Sequence, residues 1–165
     1  MKIVEAKIIP IEKKAVDGSF FSRKVLMDYL SSESYRYRME TKTMLGGITH
    51  INRDKDKTPS DIIAVVDQLL LNRAITHYIS KLEIKGDWLM GEIRFLDENL
   101  MDSQTAQQIK FIKGLILNGI MVPVSASVLA DWSGDRAIKI IDITGVDFTL
   151  DPGFNNAGII NIKTQ

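Results

Sequence analysis

The chain has 165 residues, of which 45% are hydrophobic and 25% are charged, as in an ordinary globular protein rather than a disordered one. We expect one domain, residues 1–165, because a single core typically serves about 100 to 200 residues. Lysine plus arginine equals aspartate plus glutamate at 21 each, so no net charge attracts nucleic acid or an anionic membrane surface.

Cysteine is absent, which excludes disulfides, zinc–thiolate sites and cysteine nucleophiles. The longest apolar runs, such as Ile62–Leu71, are shorter than the roughly 20 residues that cross a bilayer. Charged residues also interrupt the apolar start of the chain, residues 1–10. The sequence therefore predicts neither a membrane span nor a secretion signal.

The chain opens with an Ile- and Val-rich segment, Lys2–Pro10, which predicts a strand, followed by a turn at Asp17–Gly18. Ser22 is a good helix cap, and the short helix that it begins should end near Ser31. The apolar residues of this helix recur at helical spacing: Val25, Leu26, Tyr29 and Leu30.

Residues 32–57 are mostly polar, which predicts a loop that contains one short strand, Met44–Ile48, just before His50. The next segment, 58–61, has a capping threonine, a proline at the first helical position and an acid in the first turn. A helix should follow it. Its apolar stripe comprises Ile62, Val65, Val66, Leu69 and Leu70.

A hairpin is predicted from Ile75–Ile84 and Trp88–Leu96, with its turn at residues 85–87. Alternation places Tyr78, Leu82 and Ile84 on one face of the first strand, and His77, Ile79, Lys81 and Glu83 on the other. A helix over Ser103–Leu117 follows, with Asn118–Gly119 as its stop signal. Its inward residues should be Ile109, Ile112 and Ile116.

Three β-rich segments complete the chain: Ile120–Leu129, Ala137–Ile143 and Val146–Leu150. Breaks are predicted at residues 132–135 and at Gly145. Together these elements predict an α+β domain made mainly of antiparallel strands, arranged as a small β-barrel with helices packed outside it.

Few kinds of catalytic chemistry fit this composition. Metalloprotease, P-loop, dinucleotide-binding and EF-hand motifs are all absent, so we expect no metal and no cofactor. Covalent chemistry would need a serine activated by a histidine, with a third group to orient the imidazole. His50 follows the paired glycines Gly46 and Gly47, which allow a tight turn that could present an imidazole, although a solvated loop histidine would look the same.

Ser125 and Ser127 lie on the same face of a predicted strand. Serines are common on the outer face of a half-buried strand, so this pattern alone does not indicate a nucleophile. Pro123 favours an edge or a bulge, where a nucleophile can be exposed. Asp147 lies among apolar strand residues and needs a partner, either structural or catalytic. His77 fits a satisfied core histidine.

Three blocks occur in a defined order along the chain. A Gly-x-x-His block, residues 47–50, is followed by a hairpin with Gly86 and Gly91, and then by a helix that ends in Gly119. The third block continues through Val124–Ser125 to a strand that contains Gly145-Val146-Asp147. From residue 22 to residue 152 this order resembles the prohead proteases of tailed phages, whose fold is related to the herpesvirus capsid maturation protease, assemblin.

The resemblance implies a herpesvirus-protease-like fold and a serine endopeptidase, with Ser125 as nucleophile, His50 as general base and Asp147 as third member. His77 is the alternative third member, since Thr76–His77 matches a Ser-His pair of some relatives. The substrates would be phage scaffold and major capsid proteins, cleaved in the host cytoplasm inside the assembling procapsid. A homo-oligomer is possible, and neither nucleic acid nor membrane is an expected partner.

The sequence departs from the family after the nucleophile. Relatives usually continue as Ser-Ser-Arg-Gly, whereas this chain reads Ser125-Ala126-Ser127-Val128. Ile51 replaces a common proline after the histidine, and residues 58–71 resemble an inserted helix. The missing arginine leaves a second hypothesis open, that of a catalytically inactive structural or scaffold module with the same fold.

Overall fold

The computed structural model describes residues 2–48, 59–149 and 156–163. Within these ranges there are four α-helices: α1 Arg23–Leu30, α2 Glu33–Thr41, α3 Pro59–Leu71 and α4 Ser103–Leu117. A 3-10 turn at Glu98–Leu100 precedes α4. The strands are β1 Ile3–Pro10, β2 Leu45–Gly47, β3 Ile75–Lys85, β4 Trp88–Phe95, β5 Val124–Ser133, β6 Arg136–Phe148 and β7 Gly158–Ile162.

The strands form a seven-stranded sheet in the order β5-β6-β2-β3-β4-β1-β7. Neighbouring strands are antiparallel except β2 and β6, which run parallel with Leu45 opposite Gly145. The core combines side chains of the sheet with those of α1 and α4, among them Leu26, Tyr29, Ile79, Ile93, Ile109, Ile143 and Phe148. The predicted α+β class is confirmed.

The predicted closed barrel is wrong. The two edge strands meet near one isolated bridge, Pro123–Gly158, beside a hydrogen bond from Ile159 N to Val122 O of 3.0 Å. Pro123 has no backbone N–H to donate, so it cannot form both hydrogen bonds of a ladder between the two edge strands. Within the described residues the sheet therefore remains open.

The predicted ends of helices α1 and α4 are confirmed. Ser22 Oγ accepts a hydrogen bond from Val25 N at 3.2 Å and begins α1. In α4 the predicted inward residues are buried, and Gly119 ends the helix with a φ of 74°. In α3, Leu69 is buried but Leu70 is 52% exposed, so the predicted stripe is too wide there. The side chains of Ile62 and Val65 lie outside the described residues.

The loop with one short strand that was predicted for residues 32–57 is wrong at its start, where helix α2 lies. Ser32 caps this helix by accepting from Tyr35 N, but none of its residues is buried, so no apolar stripe marks it. Tertiary hydrogen bonds fix it instead. The Arg38 guanidinium binds the Asp142 carboxylate with both Nε and Nη2, and Tyr35 OH donates to Leu82 O at 3.1 Å.

The β3–β4 hairpin is confirmed, with Lys85 opposite Trp88 and Gly86 in the turn at a φ of 57°. The pairing register shifts between Ile79 and Lys81. This bulge reverses the alternation, so Ile79 and Leu82 are both buried although the sequence assigned them to opposite faces.

Strand β6 is continuous through Gly145, where the sequence predicted a break. The glycine is needed for close packing, since a Cβ at this position would overlap the Leu45 carbonyl oxygen of β2. The break predicted for residues 132–135 is shorter than expected, because β5 includes Trp132 and Ser133.

Candidate active site

The candidate site lies at the junction of β2, β3 and β6. Gly46 of β2 is opposite His77 of β3, and a Cβ on Gly46 would overlap both the His77 ring and the Val146 carbonyl oxygen. The missing side chain lets the His77 ring extend across β2 toward β6. The sequence predicted a tight turn at the paired glycines. In the structure, the glycine at position 46 instead allows three strands to approach one another closely.

Asp147 is the buried acid of this junction. The residue is 3% exposed, and its Oδ1 accepts a hydrogen bond from Gly47 N at 2.9 Å. Among the described residues, no other group donates a hydrogen bond to this carboxylate. Burial raises the pKa of Asp147 to about 6, partly offset by the Gly47 bond. A nearly bare carboxylate would gain from a further donor or a positive charge.

Ser125 lies directly opposite Asp147 on the neighbouring strand. Directly opposed residues of an antiparallel pair point to the same face, with Cβ atoms roughly 4.5 to 5.5 Å apart. Ser125 is half-buried, and β5 pairs only with β6 in the described sheet, so the serine is on an edge strand. Of the two alternatives predicted from Pro123, an edge or a bulge, the structure has the edge.

His50 lies outside the described residues, so no distance joins it to Ser125 or Asp147. The last described residue before it is Ile48, which forms a parallel bridge with Phe148. The Gly-x-x-His block is thus tied to β6 twice, through Ile48 and through the Gly47–Asp147 hydrogen bond. The structure brings together two of the three predicted site residues, Ser125 and Asp147.

His77 is fully buried, and both of its ring nitrogens are hydrogen-bonded. Nε2 lies 2.6 Å from Val146 O, and Nδ1 lies 2.8 Å from Thr76 Oγ1. Because a carbonyl can only accept, Nε2 carries the proton. Burial lowers the pKa of His77 to about 4, so the ring is neutral at pH 7 and its Nδ1 accepts from the threonine hydroxyl.

The sequence did not identify two backbone groups of this site, the Gly47 N–H and the Val146 carbonyl. Backbone donors and acceptors have no side-chain signature, and β2 has only three residues. Across the described ranges, no group of three or more His, Cys, Asp or Glu side chains could hold a metal ion. None of the described helices is both long enough and apolar enough to span a bilayer.

No protein-family model matches the chain. No curated protein matches it either. Among solved structures, the chain is similar to the bacteriophage T4 capsid assembly protease, gp21, with a TM-score of 0.57 and 15% sequence identity. The match covers 90% of this chain and 81% of the T4 protein. At this identity the likeness shows the fold alone: this chain shares the overall fold of the T4 protein.

Proposed function

We propose that the chain is a serine endopeptidase that cleaves scaffold and capsid proteins inside an assembling phage procapsid, in the host cytoplasm. The observation that carries the proposal is the opposition of Ser125 and Asp147, a half-buried hydroxyl facing the same side as a buried carboxylate with one hydrogen bond. The shared fold with the T4 capsid assembly protease supports the same class of reaction.

The reaction is acyl transfer with Ser125 as nucleophile. His50 removes the proton from Ser125 Oγ as the oxygen bonds to the scissile carbonyl carbon, and backbone amides stabilise the oxyanion. His50 then gives this proton to the leaving amine, which breaks the peptide bond and leaves an acyl-enzyme. Water activated by His50 hydrolyses that ester and restores Ser125. The Asp147 carboxylate orients the imidazole and stabilises its charged form.

Chain connectivity supports His50 as the base. His50 follows Ile48 by two residues, and two residues span at most about 7 Å. Ile48 bridges Phe148, the neighbour of Asp147 in sequence. Chain connectivity therefore keeps the Cα of His50 within about 7 Å of that of Ile48, beside the end of β6 that carries Asp147.

The hydrogen bonding favours Asp147 over His77 as third member. An orienting group needs an acceptor that can take the imidazole N–H. Asp147 Oδ2 has no hydrogen-bond donor among the described residues, so it can take one. His77 already uses its Nδ1 for Thr76 and its Nε2 for Val146.

Mutation of the serines tests the proposal. The wild type, Ser125→Ala and Ser127→Ala are each expressed with the scaffold and capsid proteins of the same phage, and cleavage is followed by mass spectrometry. Ser127 is a matched control because it is two residues away on the same strand and is also half-buried. We expect cleavage by the wild type and by Ser127→Ala but not by Ser125→Ala. Equal cleavage by the wild type and Ser125→Ala would refute the assignment of the nucleophile.

The absence of arginine after Ser125 favours a second candidate, a catalytically inactive module of the phage particle. The two candidates differ in the reactivity of Ser125 toward a serine-directed phosphonate. Labelling at Ser125 that disappears in His50→Ala would exclude the inactive module. A wild type that neither cleaves nor reacts would favour it.

A further inference from the structure

Strands β2 and β6 are paired over only a short stretch near Asp147 within the described residues. Strand β2 has three residues, and its ladder with β6 contains the single pair Leu45–Gly145, with the isolated Ile48–Phe148 bridge beyond it. The Gly47–Asp147 hydrogen bond depends on this short contact. A contact from a third strand would add to the few that fix the separation of these two strands.

His77 supplies such a support from β3. Its Nε2–H reaches over Gly46 and donates to Val146 O at 2.6 Å, which ties β3 directly to the residue before Asp147. The ring packs against Phe148 at 4.6 Å between centroids and against Phe95 at 6.5 Å. Aromatic contacts on the ring and hydrogen bonds at both nitrogens leave it little freedom to rotate.

The Thr76 hydroxyl fixes the tautomer that this role requires. Its donation to Nδ1 at 2.8 Å keeps the proton on Nε2, where Val146 O accepts it. A ring held in this way has no unshared nitrogen with which to exchange a proton with Ser125 or His50. His77 thus acts on the site through the backbone of β6.

We propose that His77 is a positioning residue, which holds Val146 through its Nε2–H and thereby keeps the Asp147 carboxylate in register with Gly47 and Ser125. The inference rests on the proposed function as far as catalysis is concerned. The geometric part, control of the Gly47–Asp147 contact by His77, can be measured without any activity.

Two substitutions separate a positioning role from an acid–base role. His77→Gln places an amide N–H close to the position of Nε2 and cannot shuttle a proton in the manner of an imidazole. His77→Phe keeps an aromatic ring beside Phe148 but has no donor for Val146 O. Reactivity is followed as the rate of Ser125 modification by a fluorescent alkyl fluorophosphonate, as a function of pH. Ser125→Ala is the blank.

We expect His77→Phe to react about 100-fold more slowly than the wild type, since a misplacement of about 1 Å at a catalytic group has effects of this size. His77→Gln should recover most of the wild-type rate with the same pH midpoint. If His77→Gln is as unreactive as His50→Ala, His77 takes part in proton transfer and the proposal is wrong. Wild-type reactivity in a folded His77→Phe would also overturn it.

Nuclear magnetic resonance provides a readout that does not depend on the enzyme hypothesis. In the wild type, two-bond 15N–1H spectra should show the Nε2–H tautomer of His77 between pH 6 and pH 8, and the Gly47 amide should be protected from exchange. His77→Phe should lose this protection and His77→Gln should keep it. An Nδ1–H tautomer in the wild type, or a Gly47 amide that is equally protected in a folded His77→Phe, would refute the positioning role. A wild type that the fluorophosphonate does not label would instead count against the proposed function.

Discussion

Two aspartates of strand β6, five residues apart, occupy opposite kinds of environment. Asp142 accepts hydrogen bonds from Arg38 Nε and Nη2, from Ser34 Oγ at 3.0 Å and from Tyr29 OH at 3.3 Å. Asp147 accepts one backbone hydrogen bond and faces no cation among the described residues. Asp142 has the contacts of a structural residue, whereas Asp147 is incompletely satisfied, as groups at functional sites often are.

The difference extends to what each aspartate holds in place. The Arg38–Asp142 pair fixes α2, a helix without buried residues, against β6, and the hydrogen bond to Asp142 raises the pKa of Arg38. Within the part of the chain that the structure describes, Asp147 binds the backbone N–H of Gly47 alone. If this contrast is functional, substitutions at the two positions should have separable effects on stability and on catalysis.

The largest effect is expected for Asp147→Asn on catalysis. An asparagine oxygen can still accept from Gly47 N, but it cannot carry the negative charge that stabilises an imidazolium. We expect the rate of peptide cleavage to fall about 1,000- to 10,000-fold, as for loss of the acid in other Ser-His-Asp sites. The measurement compares kcat/KM for a capsid-derived peptide. A fall of less than tenfold would remove Asp147 from the site.

Arg38→Leu should cause the largest loss of stability. Removing one member of a buried ion pair leaves the other without compensation, at a cost of about 3 to 5 kcal/mol. The Arg38 and Asp142 side chains retain 23% and 15% exposure, which allows some solvation. We therefore expect the free energy of unfolding to fall by about 2 to 3 kcal/mol in urea titrations.

Cleavage by Arg38→Leu should remain near the wild-type rate under conditions where the variant is folded. The double variant Arg38→Leu/Asp142→Leu is the control, since removal of both charges should recover much of the lost stability. A loss of activity in folded Arg38→Leu would show that the two aspartates are not functionally separate.

Asp147→Asn should also stabilise the protein in a pH-dependent way. One pKa unit corresponds to about 1.4 kcal/mol and burial raises the pKa by about two units, so removal of the buried charge should add about 3 kcal/mol at pH 7. Folded wild type binds a proton on Asp147 as the pH falls through about 6, whereas the unfolded chain binds it only near the ordinary aspartate pKa, about 3.9. The advantage of the variant should therefore be full well above pH 6, shrink as the pH falls and vanish below about pH 4.

Urea titrations of both proteins at several pH values measure this difference. His77 also titrates, because its depressed pKa of about 4 costs stability as the pH falls below its unfolded value, but that contribution is common to both proteins and cancels. A difference that is constant with pH would mean that burial does not penalise the Asp147 carboxylate.

The smallest effect is expected for Ser34→Ala, which removes one of several donors to Asp142. A single hydrogen bond to a carboxylate that keeps its guanidinium partner is worth about 1 kcal/mol. Calorimetric or urea unfolding should show a loss of that size, with unchanged cleavage. A loss as large as that of Arg38→Leu would mean that Ser34, rather than the ion pair, dominates the anchoring of α2.

The contrast between the two aspartates also separates what the sequence could predict from what it could not. Local signals sufficed for α1 and α4, where Ser22 and Gly119 mark an end and apolar spacing marks the inward face. They failed for α2, because its stability comes from tertiary bonds through Arg38 and Tyr35 rather than from an apolar stripe. Because Arg38 and Asp142 are 104 residues apart, no local sequence pattern marks their pairing.

The sequence offered candidate residues for the site but not their arrangement. Asp147 could be selected because an acid among apolar strand residues needs a partner. Its position opposite Ser125 depends on strand register, and its bond to Gly47 depends on a parallel contact between segments 100 residues apart. Gly145 illustrates the same limit, since its close contact with Leu45 is a tertiary constraint that looks like a strand break in the sequence.

The central claim is that Ser125 is a nucleophile activated through His50 and Asp147. The most direct test is the site and rate of phosphonate attachment, mapped by peptide mass spectrometry in the wild type, His50→Ala and Asp147→Asn. We expect an adduct on Ser125 of the wild type and the loss of nearly all labelling in both variants, each of which should remain folded. An adduct that forms equally fast in all three proteins, or on a serine other than Ser125, would contradict it.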